Sequence, residues 1–428
     1  MGRPPADVRP LYIQFMDTYA PAWGHGGPVR LMFEYGQWLS SEFQVAVHTS
    51  DVHHDFSRIS IQRENMGGVS VHRHKLFFPG LAKKSIYLHS PSIFIQAAKQ
   101  IYRSRGKAIV HFSVLRGLVP LYAMLLKLLF RKRLILVHSA FGSLHYKRAV
   151  HRRVYDAVFL KLFVRLVDLR LAQNEHELQA YRRICLQNGA IRGPQVVLFP
   201  LHLDGVSFDP ARFTASGKNQ GAVSRVRRTF GILEDAVVFL FLGRLNPAKG
   251  ILRMIDAYLE FSQSCPRETL LLIVGHDDGF QSQTQQYILG KGIQNRVRII
   301  NNVFETRFDY YFLADVFLGF PTIFEETMLA SLEAMACGTP VVVSREADVP
   351  FVEAERAGHV IEFDPSTAAR AMTDVTGDLQ AFQANAKRAA RHFDQAHLGP
   401  KLLELFREAA CGGLMSVQDR EAEPAQTV

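Results

Sequence analysis

The sequence predicts an α/β protein made of two doubly wound domains, each with a parallel sheet covered by helices on both faces. Three observations lead to this prediction. The chain has 428 residues, which is too long for one ordinary hydrophobic core. Short, continuously apolar segments alternate with helical patterns, as buried parallel strands do. These segments fall into two sets, each spread over about 200 residues.

Six apolar segments in each half are the predicted strands. In the first half they are LYIQFM, QVAVHT, VSVHRH, AIVHF, LILVHS and VVLFP. In the second half they are VVFLFLG, LLLIVG, VRII, VFLGF, PVVVS and HVIEF. Helical patterns separate the strands, for example over residues 28–40 and 91–102. The polar, basic, Gly- and Ser-containing stretch at 204–228 is the predicted linker.

The predicted domains are residues 1–205 and 206–395. A helix at 396–412 is expected to pack back on the first domain, and the polar end at 413–428 is expected to be a flexible tail. Ligands of doubly wound sheets bind at the carboxyl ends of the strands. The functional site is therefore expected in a cleft between the two sheets.

The composition is that of a soluble globular protein, with 48% hydrophobic and 21% charged residues. The first ten residues are polar and proline-rich, unlike a secretion signal. The four cysteines are scattered without metal-like spacing, which is typical of a reduced, intracellular protein. We therefore expect a cytoplasmic location, with the inner face of the membrane as a peripheral alternative.

Charge is distributed unevenly along the chain. Residues 1–200 hold 28 Lys and Arg against 11 Asp and Glu, a net charge of +17, whereas the remainder carries −7. No acidic residue occurs from Asn65 to Tyr155. One side of the protein is therefore expected to face an anionic partner, with a merely solvated surface as the alternative.

Residues 144–166, LHYKRAVHRRVYDAVFLKLFVRL, place cations among apolar residues at helical spacing. This segment is either an interfacial helix on an anionic membrane or a core helix with an exposed basic face. A nucleic-acid partner is not expected, since the basic half contains no recognisable binding module.

An anion site is predicted after the strand VVFLFLG. Arg244 follows that strand, and the turn LNPAKGI then supplies Lys249 and Gly250 at the expected start of a helix. Free N–H groups at a helix N-terminus and two cations together favour a phosphate. The alternative is a surface turn with two solvated basic side chains.

A second candidate segment is FEETMLASLEAMACGTPVV. Thr327 is expected to cap a helix over residues 328–336, whose N-terminus favours phosphate. Glu325 precedes this helix, and Glu333 lies eight residues later, about 12 Å along the axis. Glycosidase acid/base pairs need carboxylates about 5–9.5 Å apart, so this spacing instead suits two ends of one extended ligand. Taken singly, each glutamate is also consistent with an ordinary helix residue.

The segments GRLNPAKGI, LLIVGHDDGF and FPTIFEETMLASLEAMACGTPVVVS, in that order, resemble the C-terminal domain of retaining glycosyltransferases of the GT-B fold. The family hallmark is Glu, seven residues, Glu and then Ala-Met-Ala-x-Gly-x-Pro-Val, which occurs here from Glu325 to Val341. PAWGHGGPVRLMFEYGQWL is similar to the family's glycine-rich loop before its first helix. The resemblance covers most of residues 10–410 and implies two Rossmann-like domains facing each other across a cleft.

The resemblance implies roles for the matching residues near the donor. Arg244 and Lys249 would bind the diphosphate, Glu325 the hydroxyls of the donor sugar, and Glu333 the ribose hydroxyls. The expected catalytic residues are His138, Arg244, Lys249 and Glu325. The expected donor-binding residues are Gly26, Gly27, Arg244, Lys249, Glu325, Thr327, Met328 and Glu333.

Backbone N–H groups are also expected to contact the donor. Gly26 and Gly27 would let N–H groups approach the phosphate and the sugar, since no Cβ intrudes. Thr327 and Met328 replace the glycines that family members often have after the first glutamate, so the amides beside the sugar are more crowded. His138, at the end of LILVH, corresponds to a histidine near the transferred sugar, and its alternative is a histidine hydrogen-bonded within a loop.

The resemblance implies transfer of a hexose-type sugar from a UDP- or GDP-sugar to an acceptor hydroxyl, with retention of configuration. No metal and no cofactor are expected. The acid pair in HDDG at 276–279 is not expected to bind a metal ion. The segment GHGGPV lacks the glycine spacing of a dinucleotide-binding fingerprint, so NAD is not expected either. The acceptor is expected to be a saccharide or a lipid-linked molecule in polysaccharide or glycolipid assembly. Two alternatives are a non-transferase nucleotide-sugar enzyme, such as an epimerase, and a non-catalytic nucleotide-sugar-binding paralogue.

Overall fold

The computed structural model describes residues 9–23, 27–82, 86–141, 144, 150–189, 195–203, 216–301, 306–325 and 328–411. The chain divides into two compact units. The amino-terminal unit comprises Met1–Pro200 and Leu398–Val428, and the carboxy-terminal unit comprises Leu201–His397. The predicted tail at 413–428 lies outside the described residues.

Within the described residues, ten strands belong to the amino-terminal unit. They are Leu11–Phe15 (β1), Gln44–Ser50 (β2), Arg63–Met66 (β3), Val69–His74 (β4), Leu76–Phe77 (β5), Leu88–His89 (β6), Ala108–Phe112 (β7), Leu134–Ser139 (β8), Leu169–Ala172 (β9) and Gln195–Leu198 (β10). Eight of them form one sheet in the order β10-β9-β8-β7-β1-β2-β4-β3, and β5 pairs with β6. All neighbours in the large sheet are parallel except the edge strand β3, which runs antiparallel to β4.

Helices cover both faces of this sheet. They are Gly27–Leu39 (α1), Pro79–Ala82 (α2), Ser92–Arg103 (α3), Leu118–Phe130 (α4), Val150–Leu166 (α5) and Glu175–Gln187 (α6). One face packs on apolar side chains of α3, α4 and α5, including Ile101 and Phe163. The other face packs on α1 and on the last helix of the chain. The central strands β7 and β8 are largely apolar on both sides because both faces of the sheet are covered.

Six parallel strands form the sheet of the carboxy-terminal unit. They are Val237–Leu242 (β11), Thr269–Val274 (β12), Val297–Ile300 (β13), Val316–Gly319 (β14), Val341–Ser344 (β15) and Gly358–Ile361 (β16). Their order, β13-β12-β11-β14-β15-β16, is that of a Rossmann sheet. The strand order reverses between β11 and β14, and ligands of such sheets bind at the carboxyl ends of the strands beside that point.

The remaining helices among the described residues lie in the carboxy-terminal unit, except that the last one continues into the amino-terminal unit. They are Ser216–Phe230 (α7), Ile251–Ser264 (α8), Gln281–Gly290 (α9), Arg307–Leu313 (α10), Leu329–Ala336 (α11), Pro365–Gly377 (α12), Leu379–Ala390 (α13) and Gln395–Cys411 (α14). The two parallel, helix-covered sheets confirm the predicted fold class.

The helix α14 belongs to the core of the amino-terminal unit. Its side chains Leu398, Leu402 and Phe406 are buried, and Phe406 packs edge-on against Tyr12 of β1 at 5.2 Å between ring centroids. Arg407 also forms an ion pair with Glu42 at 2.7 Å. The amino-terminal unit is therefore completed by the end of the chain.

The linker prediction at 204–228 is wrong in its second half. Residues from Ser216 onward form α7, which packs against α10 and buries Val226. Its polar, glycine-containing sequence gives a weak helical signal, and tertiary packing overrides that propensity. The short strand β9 was not predicted, since LRLA interrupts its apolar run with Arg170. None of the described helices combines the length and the apolar character needed to cross a membrane.

Candidate functional site

Two loops meet where the strand order of the carboxy-terminal sheet reverses. One follows β11 and carries Lys249, and the other follows β14 and carries Glu325. The Nζ atom of Lys249 donates to Oε1 of Glu325 at 2.5 Å. Both side chains are mostly buried, at 20% and 16% exposure, so this ion pair is only partly screened by water. An ammonium and a carboxylate thus lie together at the position where doubly wound sheets bind ligands.

Gly250 lets these two loops approach each other. Its φ of +68° is a left-handed conformation that residues with a side chain rarely adopt. A Cβ atom at this position would lie 1.8 Å from the carbonyl oxygen of Phe320. The backbone N–H of Thr322 also donates to the carbonyl of Ala248 at 2.7 Å. These contacts place the loop that carries Lys249 directly against the loop that leads to Glu325.

Arg253, on the first turn of α8, holds the same two loops together. Its Nε donates to the carbonyl of Phe320 at 2.7 Å, and its terminal nitrogen donates to the carbonyl of Pro321. The guanidinium also lies over the ring of Phe363, 4.3 Å from the centroid. Burial lowers the pKa of Arg253 from its ordinary value, but two carbonyl acceptors and the nearby Glu346 satisfy the cation. Arg253 is a structural support that the sequence analysis did not identify.

Arg244 comes from the same loop as Lys249 but is far more exposed, at 67%. One of its guanidinium nitrogens donates to Oδ2 of Asp278 at 3.0 Å, and the side-chain amide of Asn246 donates to the same oxygen at 3.1 Å. An exposed guanidinium held at one end by a carboxylate retains donors for an anionic ligand.

The acid pair of the HDDG motif has two separate structural functions. Asp278 holds Arg244, whereas Oδ1 of Asp277 accepts from the N–H groups of Phe280 and Gln281, both at 3.0 Å, at the start of α9. Those hydrogen bonds lower the pKa of Asp277. Among the described residues, no group of three or more His, Cys, Asp or Glu side chains is placed to hold a metal ion.

Glu333, on α11, belongs to a second polar cluster. Its Oε1 accepts from Arg307 at 3.1 Å, and its Oε2 accepts from the hydroxyl of Tyr311 at 2.8 Å. Burial and the nearby carboxylate raise the pKa of Tyr311 well above its ordinary value, so its hydroxyl stays a hydrogen-bond donor. Arg307 and Tyr311 are four residues apart on α10 and therefore present one face toward Glu333. The spacing of four residues between Arg307 and Tyr311 is the sequence signal that could have identified them as partners of Glu333.

The carboxy-terminal unit is similar in sequence to known proteins. Residues 236–378 match the family model described as Glycosyl transferases group 1. D-inositol 3-phosphate glycosyltransferase from Geodermatophilus obscurus is 32% identical over 216 residues, which are 48% of this chain and 46% of that protein. Its counterpart from Corynebacterium efficiens is 30% identical over 201 residues, or 45% and 47% of the two chains. The chain thus spans about half the length of the curated relatives it matches.

The similarity to glycosyl transferases group 1 thus lies within the carboxy-terminal unit. Solved structures resemble almost the whole chain at low sequence identity. Sucrose-phosphate synthase from Thermosynechococcus elongatus matches 94% of this chain and 100% of its own, with a TM-score of 0.65 and 17% identity. Anabaena HepE in complex with UDP-glucose matches 93% and 99%, with a TM-score of 0.63 and 18% identity. The fold is therefore GT-B, with two Rossmann-like units.

In the carboxy-terminal unit, the placement of Met328 corrects one expectation. Its backbone N–H already donates to the carbonyl of Ala347 at 3.1 Å, and its side chain is buried against Gly319. Met328 therefore has no free amide to offer a sugar, because the turn after β15 supplies an acceptor. It precedes α11 as the N-cap residue, without a side-chain cap. The predicted cap Thr327 lies outside the described residues.

His138 is also placed differently from the expectation. The ring is fully buried in the amino-terminal unit, and its Nδ1 bonds to the hydroxyl of Tyr181 at 2.7 Å. Phe112 and Phe163 pack on it, each 4.9 Å away between ring centroids. Burial keeps its pKa well below the ordinary value. His138 thus has no exposed surface for contact with a sugar. The alternative, a histidine hydrogen-bonded within a loop, is right about the internal hydrogen bond but not about the loop, since His138 lies on β8.

The glycine-rich loop of the amino-terminal unit is described in part. Gly27 is the first residue of α1, whereas Gly26 lies outside the described residues. His111 is buried like His138, with its ring nitrogens bonded to Tyr12 and Ser139 at 2.8 Å each.

Asp348 is a further titratable group beside the Glu325 loop. The neighbouring residue Glu346 accepts the N–H of Glu325 through its carbonyl at 2.6 Å. Burial raises the pKa of Asp348 to about 6, and its Oδ2 is buried without a hydrogen-bond partner among the described residues. A carboxyl group with that pKa can exchange a proton close to neutral pH. Neither the spacing of residues nor the resemblance pointed to it.

Proposed function

We propose that the protein transfers a sugar from a nucleoside diphosphate sugar to an acceptor hydroxyl. The observation that carries this proposal is the Lys249–Glu325 pair, which lies at the strand-order reversal of the unit that is similar to glycosyl transferases group 1. The cation suits the phosphates of a donor, and the carboxylate suits the hydroxyls of its sugar.

The diphosphate would be bound by Lys249 and Arg244. Lys249 has three N–H donors and uses one for Glu325, so the others can reach phosphate oxygens. Arg244 is exposed and held by Asp278 at one nitrogen. The N-terminus of α11 would add N–H groups and a favourable dipole. With two cations present, we propose that no metal ion is required, and activity should therefore persist in EDTA.

Glu333 would bind the ribose hydroxyls of the nucleotide. Arg307 and Tyr311 each bond to its carboxylate, which fixes its orientation and leaves further acceptor sites on both oxygens. This support by neighbouring groups is typical of binding sites that must not reorganise when the ligand arrives.

The proposed reaction retains the anomeric configuration. The bond between the anomeric carbon and the phosphate oxygen breaks, and its electron pair leaves with the nucleoside diphosphate. The acceptor oxygen forms the new bond on the same face, and its proton goes to the departing phosphate oxygen. Lys249 and Arg244 stabilise the charge that develops on the leaving group, and such preorganised donors are usually the largest catalytic contribution.

We propose a UDP- or GDP-sugar as the donor and a hexose-type sugar as the transferred group. HepE, which shares the fold, was solved with UDP-glucose. We further propose a role in polysaccharide or glycolipid assembly, with a saccharide or a lipid-linked acceptor. A cytoplasmic location with peripheral binding to the inner face of the membrane fits such an acceptor.

Peripheral membrane binding is supported by an apolar surface on α4. Leu125, Leu128 and Leu129 are exposed at 50%, 41% and 63%, and the turn Arg131–Arg133 follows them. The helix α4 packs against α5, on which Val158 is 61% exposed. Exposed leucines beside cations are typical of surfaces that lie on anionic bilayers. On α5 itself, Phe163 and Val164 are buried, so that helix also contributes to the core.

The proposed transfer is tested by donor binding and then by turnover. A thermal-shift panel of UDP-, GDP- and ADP-sugars selects the donor, and release of the nucleoside diphosphate is then measured with saccharide and lipid-linked acceptors. Acceptor-dependent release supports the proposal. Conversion of the donor without an acceptor would instead indicate an epimerase, and binding without release under any condition would indicate a non-catalytic paralogue.

Membrane binding is tested by flotation with vesicles of phosphatidylcholine, with or without phosphatidylglycerol. The wild-type chain should float with the anionic vesicles at low salt, and the variant Leu125→Ser/Leu129→Ser should not. A matched control is Leu289→Ser, which changes a 59% exposed leucine on α9 of the other unit. Equal flotation of all three proteins, or of none, would remove the membrane proposal.

A further inference from the structure

The amino-terminal sheet has its own point of strand-order reversal, between β1 and β7. From β1 the chain builds outward through β2 and β4, and it then returns to the other side of β1 with β7. Doubly wound sheets bind ligands at the carboxyl ends of the strands beside such a point. The donor site proposed above uses the reversal in the carboxy-terminal sheet, so the reversal in the amino-terminal sheet remains for a second ligand.

A carboxylate and an imidazole lie together at this second reversal. Asp17 follows the end of β1 by two residues, and its Oδ1 accepts a hydrogen bond from Nε2 of His89, on β6, at 2.8 Å. The His89 side chain is fully buried, whereas Asp17 keeps 22% of its side chain exposed. Oδ2 of Asp17 has no hydrogen-bond partner among the described residues. One oxygen of this carboxylate is therefore held from inside the protein, and the other is available to a ligand.

The backbone fixes both members of the pair. The carbonyl of Asp17 accepts from the hydroxyl of Ser50, at the end of β2, at 2.5 Å. The carbonyl of His89 accepts from the hydroxyl of Tyr122, on α4, at 3.1 Å. These contacts orient the carboxylate in advance, and a group oriented in advance binds a ligand without first losing conformational freedom.

Tyr87 adds a hydrogen-bond donor beside the pair. Its ring stacks on that of His89, with 6.1 Å between the centroids and 15° between the planes. Burial, with a further contribution from the Asp17 carboxylate, raises the pKa of Tyr87 to about 12, so the hydroxyl keeps its proton. Within the part of the chain that the structure describes, this hydroxyl has no hydrogen-bond partner. A phenol donor and a carboxylate acceptor thus adjoin the same imidazole ring.

The neighbouring buried histidines bond to uncharged groups inside the unit. His48 bonds to His74 at 2.9 Å and to Gln100, on α3, at 2.9 Å. His74 also bonds to Ser92, at the start of α3, at 2.7 Å. This histidine network connects β2 and β4 to α3. His89 differs from it, because its partner is a carboxylate that stays partly open to water.

We propose that Asp17, positioned by His89, binds a hydroxyl group of the acceptor, and that the acceptor is uncharged and rich in hydroxyl groups where it meets this residue. The inference rests on the sugar transfer proposed above, which requires an acceptor hydroxyl. A hydroxyl-rich molecule can donate to Oδ2 of Asp17 and accept from Tyr87, whereas Asp17 would repel a phosphate or a carboxylate. This pattern matches a neutral saccharide or polyol.

Binding of small probes tests the inference without turnover. Methyl glucoside, methyl galactoside, methyl mannoside and myo-inositol, with glycerol 3-phosphate as an anionic probe, are titrated against the full-length protein and followed by saturation-transfer NMR. Excess uridine and guanosine diphosphates fill the donor site. The wild-type chain and the control Asp55→Asn, at an exposed loop position of the same unit, should bind at least one neutral probe saturably. Asp17→Asn should bind it on the order of tenfold more weakly, because a charged acceptor is lost.

Variants of the two neighbouring residues separate positioning from folding. His89→Gln keeps an N–H donor near the position of Nε2 and should retain probe binding, whereas His89→Leu should lose it as Asp17→Asn does. Tyr87→Phe keeps the stacked ring and should weaken binding several-fold, because one hydrogen bond is lost. Circular dichroism verifies that each variant is folded.

In turnover, Asp17→Asn should raise KM for the acceptor and leave KM for the donor unchanged. Failure of the wild-type chain to bind any neutral probe, equal binding by Asp17→Asn, or a preference for glycerol 3-phosphate would overturn the inference. Neutral-probe binding that depends on Asp17, without release of nucleoside diphosphate under any condition, would support the site and contradict the proposed transfer instead.

Discussion

The α-carbon of Gly250 faces the carbonyl oxygen of Phe320 so closely that a β-carbon would lie 1.8 Å from that oxygen. Gly250→Ala should therefore force the loops after β11 and β14 apart. The left-handed backbone alone costs on the order of 1–3 kcal/mol with a side chain, and the clash adds to that cost. We expect a loss of at least about 2 kcal/mol in the free energy of unfolding, measured with urea. Gly290→Ala, at a helical position with open space around the new Cβ, is the control and should be close to neutral.

Lys249→Ala should reduce turnover by about a hundredfold or more with the fold intact, because the developing charge on the leaving group loses a preorganised cation. The measurement is release of nucleoside diphosphate, with circular dichroism to verify folding. Lys291→Ala is the control, since Lys291 pairs with Asp256 on the same unit, away from the strand-order reversal. Near-normal turnover in Lys249→Ala would exclude the proposed role of this ammonium.

Tyr311→Phe should weaken nucleotide binding more than it slows the chemical step. The substitution removes the hydroxyl that donates to Glu333 at 2.8 Å but keeps the ring in the core. We expect KM for the donor to rise several-fold, as one charge-assisted hydrogen bond is worth about 1.5–3 kcal/mol at most. Tyr310→Phe changes the neighbouring residue and should leave KM unchanged. A fall in kcat at constant KM would contradict an orienting role for Tyr311.

The amino-terminal unit should lose stability in acid because of its buried histidines. Burial lowers the pKa of His48 to about 3 and that of His74 to about 4. A histidine with a lowered pKa binds its proton more tightly when unfolded, so stability is present above the ordinary pKa of 6.5 and is lost as the pH falls below it. Each ring should contribute at most about 1.4 kcal/mol per pH unit in that window.

Urea unfolding at several pH values between about 4 and 7.5 measures this dependence. His48→Gln should flatten the curve, whereas His54→Gln, at an exposed position, should leave its slope unchanged. A wild-type free energy of unfolding that stays constant over this range would rule out a contribution from the histidine network.

Phe406→Ala should destabilise the amino-terminal unit although it lies near the end of the chain. The ring is fully buried and packs against Tyr12 and His111, 5.2 Å and 5.8 Å away between centroids. Loss of a buried phenylalanine costs about 3–5 kcal/mol. Differential scanning calorimetry should show a lower melting temperature for this unit, with Arg407→Ala as a mild control on the exposed face of the same helix. Equal melting temperatures for both variants would contradict a contribution of the Phe406 ring to the stability of the amino-terminal unit.

The fold could be predicted because continuous apolar strands and intervening helices leave few alternatives to doubly wound sheets. The proximity of Lys249 and Glu325 could be anticipated in the same way, since both follow strands whose carboxyl ends lie at one edge. The burial of His138 could not, because a strand pattern does not reveal which aromatic rings cover its end. The hydrogen bond of the Met328 amide could not be predicted either, since its acceptor, the carbonyl of Ala347, comes from a different loop.

The helix α14 has a consequence for how the protein is made. On the ribosome, the strands of the amino-terminal unit emerge before the carboxy-terminal unit, yet the side chains of α14 that close one face of their sheet are translated after it. Until Leu402 and Phe406 arrive, the ring of Tyr12 lacks part of its cover. The nascent chain must therefore carry an incompletely covered apolar surface while the carboxy-terminal unit is translated, a period in which chaperones or premature aggregation compete for it.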